Sequence, residues 1–70
     1  MAKAEITNKV REMRFFNNEM TQQELADKVG CTRQTINALE QNKYVPSLSL
    51  AFKISKLFGK GIEEIFIYNK

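Results

Sequence analysis

Histidine is absent from this 70-residue chain, and cysteine occurs once, at Cys31. Without histidine the sequence lacks the usual general base and the commonest zinc ligand, and one cysteine cannot build a structural zinc site. A lone cysteine also forms no internal disulfide, so a reducing cytoplasm is the expected compartment. No apolar run approaches the roughly 18 residues that a membrane span needs, and the first residues carry no signal-peptide core. Low-complexity tracts, a glycine-rich phosphate loop and clustered carboxylates are all missing. Glu63 and Glu64 stand side by side, but at a helix start, where the dipole favours acids. These absences argue against an enzyme, a resident metal or cofactor, and a membrane partner.

What remains is an ordinary soluble composition, 43% hydrophobic and 27% charged. At this length one small domain is expected over residues 1–70, burying only about 60% of its unfolded surface. Such a monomer is marginal, which favours help from a second copy of the chain. The net charge is +3, from 11 basic and 8 acidic side chains. A basic balance favours an anionic partner such as nucleic acid, but many small proteins are this basic. Charge becomes informative only beside a pattern.

The pattern lies in residues 21–41. Thr21 is placed to cap a helix, with Glu24 at the capping-box spacing. Leu25, Ala26 and Val29 give that helix an apolar face, and Gly30 stands where a left-handed residue ends it. Thr32 is placed to cap the next helix, whose inward face is Ile36 and Leu39. Its outward residues, Arg33, Gln34, Thr35, Asn37 and Ala38, are nearly all polar and free of carboxylates. A helix so equipped suits the base edges of a DNA major groove.

Around this core the spacing predicts a first helix capped by Thr7 or Asn8 and running to about Asn17, with Val10, Met13 and Phe16 facing inward. Phe15 and Phe16 are adjacent, so one of them is expected near the surface or against the C-terminal tail. Met20 is expected in the core. After a loop over residues 41–47, Ser47 is placed to cap a fourth helix ending at Gly59, with a broad apolar face of Leu48, Ala51, Phe52, Ile54 and Leu57. Gly61 precedes a short fifth helix, Ile62–Ile65. The apolar end, Ile65 to Tyr68, reads as a strand. It needs a partner. Residues 3–6 are the other strand candidate, so the two ends pair, or tails from two subunits pair; alternatively Phe66 alone docks into the core.

Taken in order, Thr21-Gln22-x-Glu24-Leu25-Ala26, Gly30, Arg33-Gln34-Thr35-Ile36, Leu39-Glu40 and Pro46-Ser47 resemble the phage repressor/Cro-like, XRE-type helix-turn-helix regulators over nearly the whole chain. The likeness is strongest to small stand-alone members of the cytolysin-repressor type. It implies a mostly α, compact five-helix domain with short terminal strands pairing the N- and C-termini. It also implies a bacterial or phage regulator, most simply a repressor, that binds a pseudo-palindromic double-stranded operator as a homodimer with its third helix in the major groove. Glu40 is implied to turn inward and pair with Arg14. Arg14 to Thr21 is one residue longer than the common family spacing, and Gly61 replaces the usual polar cap of the fifth helix.

The base-reading candidates are Arg33, for guanine O6 and N7, Gln34, for adenine, and Asn37, one turn beyond Arg33. Arg33 could instead clamp a phosphate or pair with Glu19 or Glu24. Phosphate and groove-edge contacts are expected from Gln22, Gln23, Thr32, Thr35, Asn42, Lys43 and Tyr44. The dimer surface is expected at Ile62, Ile65, Phe66, Ile67 and Tyr68, across the fifth helix, the end of the fourth and a tail spanning about residues 62–69. The other reading is that this apolar surplus covers the monomer. Cys31 is read as a small packing residue in preference to a redox-sensing thiol. No small-molecule ligand is expected, since seventy residues leave no room for a separate ligand domain. The competing function is a protein-interaction module on the same fold, an antitoxin or anti-regulator; it would expose more apolar surface than this polar helix does.

Overall fold

In a computed structural model that describes residues 5–69, the chain forms five helices and a two-stranded antiparallel sheet. The order is β1 (Ile6–Asn8), α1 (Val10–Phe16), α2 (Gln22–Val29), α3 (Arg33–Glu40), α4 (Leu48–Phe58), α5 (Ile62–Ile65) and β2 (Phe66–Tyr68). Each helix contributes to one core. Val10 comes from α1, Leu25 and Val29 from α2, Ile36 and Leu39 from α3, Leu50 and Ile54 from α4, and Ile65 from α5; Met20 closes it from the turn before α2. Fully burying such an aliphatic side chain contributes about 1.5–3 kcal/mol.

The helix ends follow local chemistry. Thr21 accepts from the Glu24 backbone N–H at 3.0 Å, while the Glu24 carboxylate accepts from the Thr21 N–H at 2.9 Å. Hydrogen bonding of the carboxylate to Thr21, to its backbone N–H foremost and then to its side chain, holds the Glu24 carboxyl below its usual range. Thr32 and Ser47 cap α3 and α4 in the same way, accepting from Thr35 and Leu50. Gly30 and Gly59 end α2 and α4 in the left-handed region, at φ +75° and +65°. Asn42 does so after α3 at φ +61°, with the Asn42 and Lys43 N–H groups returning to the carbonyls of Leu39 and Ala38. At α5 the Glu64 carboxylate accepts from the Gly61 N–H at 2.7 Å, which supplies half a capping box without a polar cap residue.

The two ends pair within the chain, with Ile6 opposite Tyr68, Thr7 opposite Ile67 and Asn8 opposite Phe66. The strand therefore lies further along than expected. Lys3 and Ala4 fall outside the described residues, and Thr7 and Asn8 belong to the ribbon, although the Asn8 side chain still accepts from the N–H of Val10, the first residue of α1, at 3.1 Å. Helix α1 starts after Lys9, which makes no side-chain cap bond. The ribbon continues through Lys9 N–H to the Ile65 carbonyl and Asn69 N–H to the Glu5 carbonyl. A two-stranded ribbon of three residues a strand is marginal alone; here it is tied to α1 on one strand and α5 on the other.

Three expectations about apolar faces need correction. Phe15 and Phe16 are both exposed, with their rings edge to face at 5.9 Å between centroids. Helix α1 ends there, and the C-terminal strand pairs with β1. In α4 the inward residues are Leu50, Ala51, Ile54 and Ser55, while Leu48 and Phe52 are 71% and 51% exposed. The cluster of Leu48, Leu50, Ala51, Phe52 and Ile54 spans more than one face, which leaves the spacing unable to choose the buried one. Ile65, expected at a subunit contact, is fully buried in the core and offers no surface.

Between Arg14 and Thr21 the chain turns through two consecutive left-handed residues, Asn18 at φ +58° and Glu19 at φ +52°. The Arg14 carbonyl accepts from both Asn17 and Met20, closing the turn. Asparagine tolerates this conformation, whereas glutamate carries a steric cost of about 1–2 kcal/mol there. Glu19→Gly is therefore expected to stabilise the fold by about 0.5–1 kcal/mol, net of the added freedom of the unfolded chain. Thermal unfolding checks this: a higher Tm is expected, and an unchanged or lower one contradicts the strain.

Candidate nucleic-acid interface

Helices α2 and α3 pack against each other through Leu25, Val29, Ile36 and Leu39, which turns the polar side of α3 outward. Arg33, Gln34 and Asn37 line one open concavity of about 170 Å³ on that side. Among the described residues Arg33 makes no ion pair, so neither Glu19 nor Glu24 engages its guanidinium. Ala38 is half-buried between this face and the core.

The position of α3 is set by an ion pair beneath it. Arg14 Nε stands 2.6 Å from Glu40 Oε2 and Arg14 Nη2 2.9 Å from Glu40 Oε1, a two-point contact. The side chains are 14% and 6% exposed. Arg14 Nη1 also donates to the Met20 carbonyl at 2.7 Å, so one guanidinium ties α1 to α3 and to the turn before α2. Gln22 Nε2 completes the arrangement, donating to Glu40 Oε1 at 3.0 Å and lying 3.3 Å from Asn37 Oδ1.

The remaining candidates fall into two groups. Several side chains are committed within the protein. Gln22 is engaged as just described, which leaves its backbone N–H at the start of α2 as its group for a phosphate. Gln23 donates to Asp27 at 2.9 Å. The Thr32 and Thr35 hydroxyls lie 3.0 Å apart at the start of α3. Asn42 accepts from Asn8 at 3.3 Å. Lys43 and Tyr44, by contrast, are exposed beyond the end of α3.

The tie from Asn8 to α3 and the role of Gln41 lie outside the sequence expectations. Asn8 accepts from the Val10 N–H and donates to the Leu39 carbonyl at 2.8 Å, fastening the terminal ribbon to the end of α3. Gln41 donates toward Asn37 Oδ1 at 3.3 Å. An asparagine 31 residues from its partner leaves no local pattern to find; the i, i+4 spacing of Asn37 and Gln41 on a helix is the one signal available. Cys31 packs half-buried against the core, and that burial pushes its thiol pKa up, contrary to the needs of a reactive thiolate. Among the described residues no acidic or cysteine cluster could hold a metal ion, and no helix is long and apolar enough to cross a membrane.

This geometry is that of a helix-turn-helix unit whose second helix presents its polar face. Residues 10–65 match the family described as helix-turn-helix, and the chain belongs to that family, in its phage repressor/Cro-like form. It is similar to uncharacterized helix-turn-helix-type transcriptional regulators from archaea and a bacterium. With one from Methanocaldococcus jannaschii it shares 57% identity over 87% of this chain and 91% of the relative. One from Archaeoglobus fulgidus is 50% identical over 89% and 86%, and one from Bacillus subtilis 48% over 84% and 88%. The expectation of a bacterial or phage source is thus wider than stated, since archaeal relatives match as well. The fold is also that of a solved protein from Bacteroides fragilis, provisionally described as DNA-binding, with a TM-score of 0.74 over 87% of this chain and 97% of that one at 23% identity.

Removing one member of a buried pair leaves the other charge without its partner, at a cost of about 3–5 kcal/mol. Glu40→Ala is accordingly expected to lower the Tm sharply while sparing every exposed residue of α3. A melting temperature equal to that of the unaltered chain would remove the ion pair from the account of the fold.

Proposed function

We propose that the chain is a sequence-specific regulator of transcription, most simply a repressor, that lays α3 in the major groove of double-stranded DNA and acts in the cytoplasm. The observation that carries this is the convergence of Arg33, Gln34 and Asn37 on one open concavity, with a guanidinium that has no ion-pair partner among the described residues. Guanidinium and amide side chains are the groups that match base edges. The N-terminal N–H groups of α2, with Lys43 and Tyr44 beyond α3, supply phosphate contacts that set register. The names of the relatives support the same reading.

A single helix of this kind contacts about four base pairs, too few to select a site in a genome. The chain therefore acts as a homodimer on an inverted repeat with half-sites about one helical turn apart. Support comes from an apolar groove of about 280 Å³ lined by Ile6, Val45, Pro46, Leu48, Ala51, Ile62 and Phe66. It begins in the loop directly after α3. Leu48 and Phe52 stand exposed on α4, Ile67 is half-buried and Tyr68 is 62% exposed on the ribbon. The dimer contact is thus centred on this groove and the start of α4, with Ile62, Phe66, Ile67 and Tyr68 contributing and Ile65 left in the core.

A binding titration on DNA from the chain's own upstream region, against a scrambled duplex at two salt concentrations, tests the reading. A preference for the native duplex that persists at the higher salt is expected. Equal binding that disappears with salt would be phosphate attraction alone, and the protein-interaction reading would replace this one. Leu48→Asp, at an exposed helix start where an acid suits the dipole, should convert dimers to monomers in sedimentation without loss of fold. An unchanged mass would overturn this contact.

A further inference from the structure

One amide on the reading face has its orientation dictated from beneath. The Glu40 carboxylate is held at both oxygens by Arg14, and a carboxylate only accepts. The Gln22 atom 3.0 Å from Glu40 Oε1 must then be the amide nitrogen. That nitrogen has a second proton, and it lies 3.3 Å from the Asn37 side chain, so the Asn37 atom facing it is Oδ1. The Gln41 amide nitrogen stands 3.3 Å from the same oxygen. Two donors inside the protein therefore face the one acceptor of Asn37, and its NH2 group, unclaimed among the described residues, is what remains for a ligand in the concavity shared with Arg33 and Gln34.

We propose that Asn37 reads its base pair as a donor only, and that Gln22 is the positioning residue that fixes this polarity, relaying it from Glu40. The inference rests on the reading that α3 enters the major groove. There, guanine presents O6 and N7 and thymine presents O4, all acceptors, whereas cytosine presents a donor. The usual pairing of asparagine with adenine needs Oδ1 to accept from N6 while Nδ2 donates to N7. With Oδ1 turned inward that pairing is lost. Asn37 thus selects guanine or thymine on the strand it faces, against cytosine most strongly and without the ordinary advantage for adenine.

Selection of duplexes from a randomised pool tests this, with the unaltered chain, Asn37→Ala, Asn37→Asp and the double variant Gln22→Met/Gln41→Ala. The position whose preference flattens in Asn37→Ala should carry guanine or thymine for the unaltered chain, disfavouring cytosine by about fivefold, the worth of one net hydrogen bond. Freeing the amide in the double variant should raise adenine at that position alone. Asn37→Asp alters an exposed side chain outside the core, so it stands even if the double variant fails to fold; an acceptor-only group there should move the preference to cytosine. Adenine enriched at that position by the unaltered chain would overturn the proposal, as would an unchanged profile in the double variant or in Asn37→Asp. A motif that Asn37→Ala leaves intact everywhere would remove the role of Asn37 while sparing the groove reading. If no motif is selected at all, the groove reading itself fails and this inference goes with it.

Discussion

The two-point contact between Arg14 and Glu40 is the constraint on which the placement of the polar face of α3 depends. It joins α1 to the last residue of α3, and through the Met20 carbonyl and Gln22 it also holds the start of α2. An exposed pair of this kind contributes about 0–1 kcal/mol, and a buried one can often be exchanged for apolar groups without loss of stability. Its value here is geometric. A planar guanidinium fixes the carboxylate in angle as well as distance, and the carboxylate in turn orients a glutamine and an asparagine at the surface. One interaction beneath the fold is thereby linked, through Gln22, to the side chain of Asn37 above it.

Around that constraint the chain is shaped by its helix ends. In so small a core, every helix is short, from four to eleven residues, and isolated helices of that length are unstable in water. Side-chain caps at Thr21, Thr32 and Ser47 and left-handed stops at Gly30, Asn42 and Gly59 satisfy backbone groups that would otherwise be unpaired. The two-residue left-handed turn at Asn18 and Glu19 belongs to the same set. It returns Met20 to the core and keeps Arg14 within reach of Glu40.

The features legible in the sequence were those encoded within three or four residues. The caps of α2, α3 and α4, the glycine stops and the inward positions of α3 each have a local signature. The pairing of Arg14 with Glu40 has none; its expectation came from family likeness. Nor could local reasoning place the strand register, because Ile6, Thr7 and Asn8 are as plausible before a helix as within a ribbon. The face of α4 was illegible for a different reason: with Leu48, Leu50, Ala51, Phe52 and Ile54 crowded together, several faces are equally apolar. At the candidate site, the polar character of α3 was evident from Arg33, Gln34 and Asn37. The direction of each amide was not, since it depends on residues 22, 37, 40 and 41 meeting in space.

The central claim is that the polar side of α3, held from below by the ion pair, is where nucleic acid docks. The most direct test follows the backbone amide signals of the protein as a duplex from its own upstream region is added. The account predicts that the signals which move belong to the first turns of α2 and α3 and to residues 41–44, with the backbone amides of Phe15 and Phe16 unaffected. Movement centred on α1, or on the Leu48–Phe52 side of α4 alone, would contradict it.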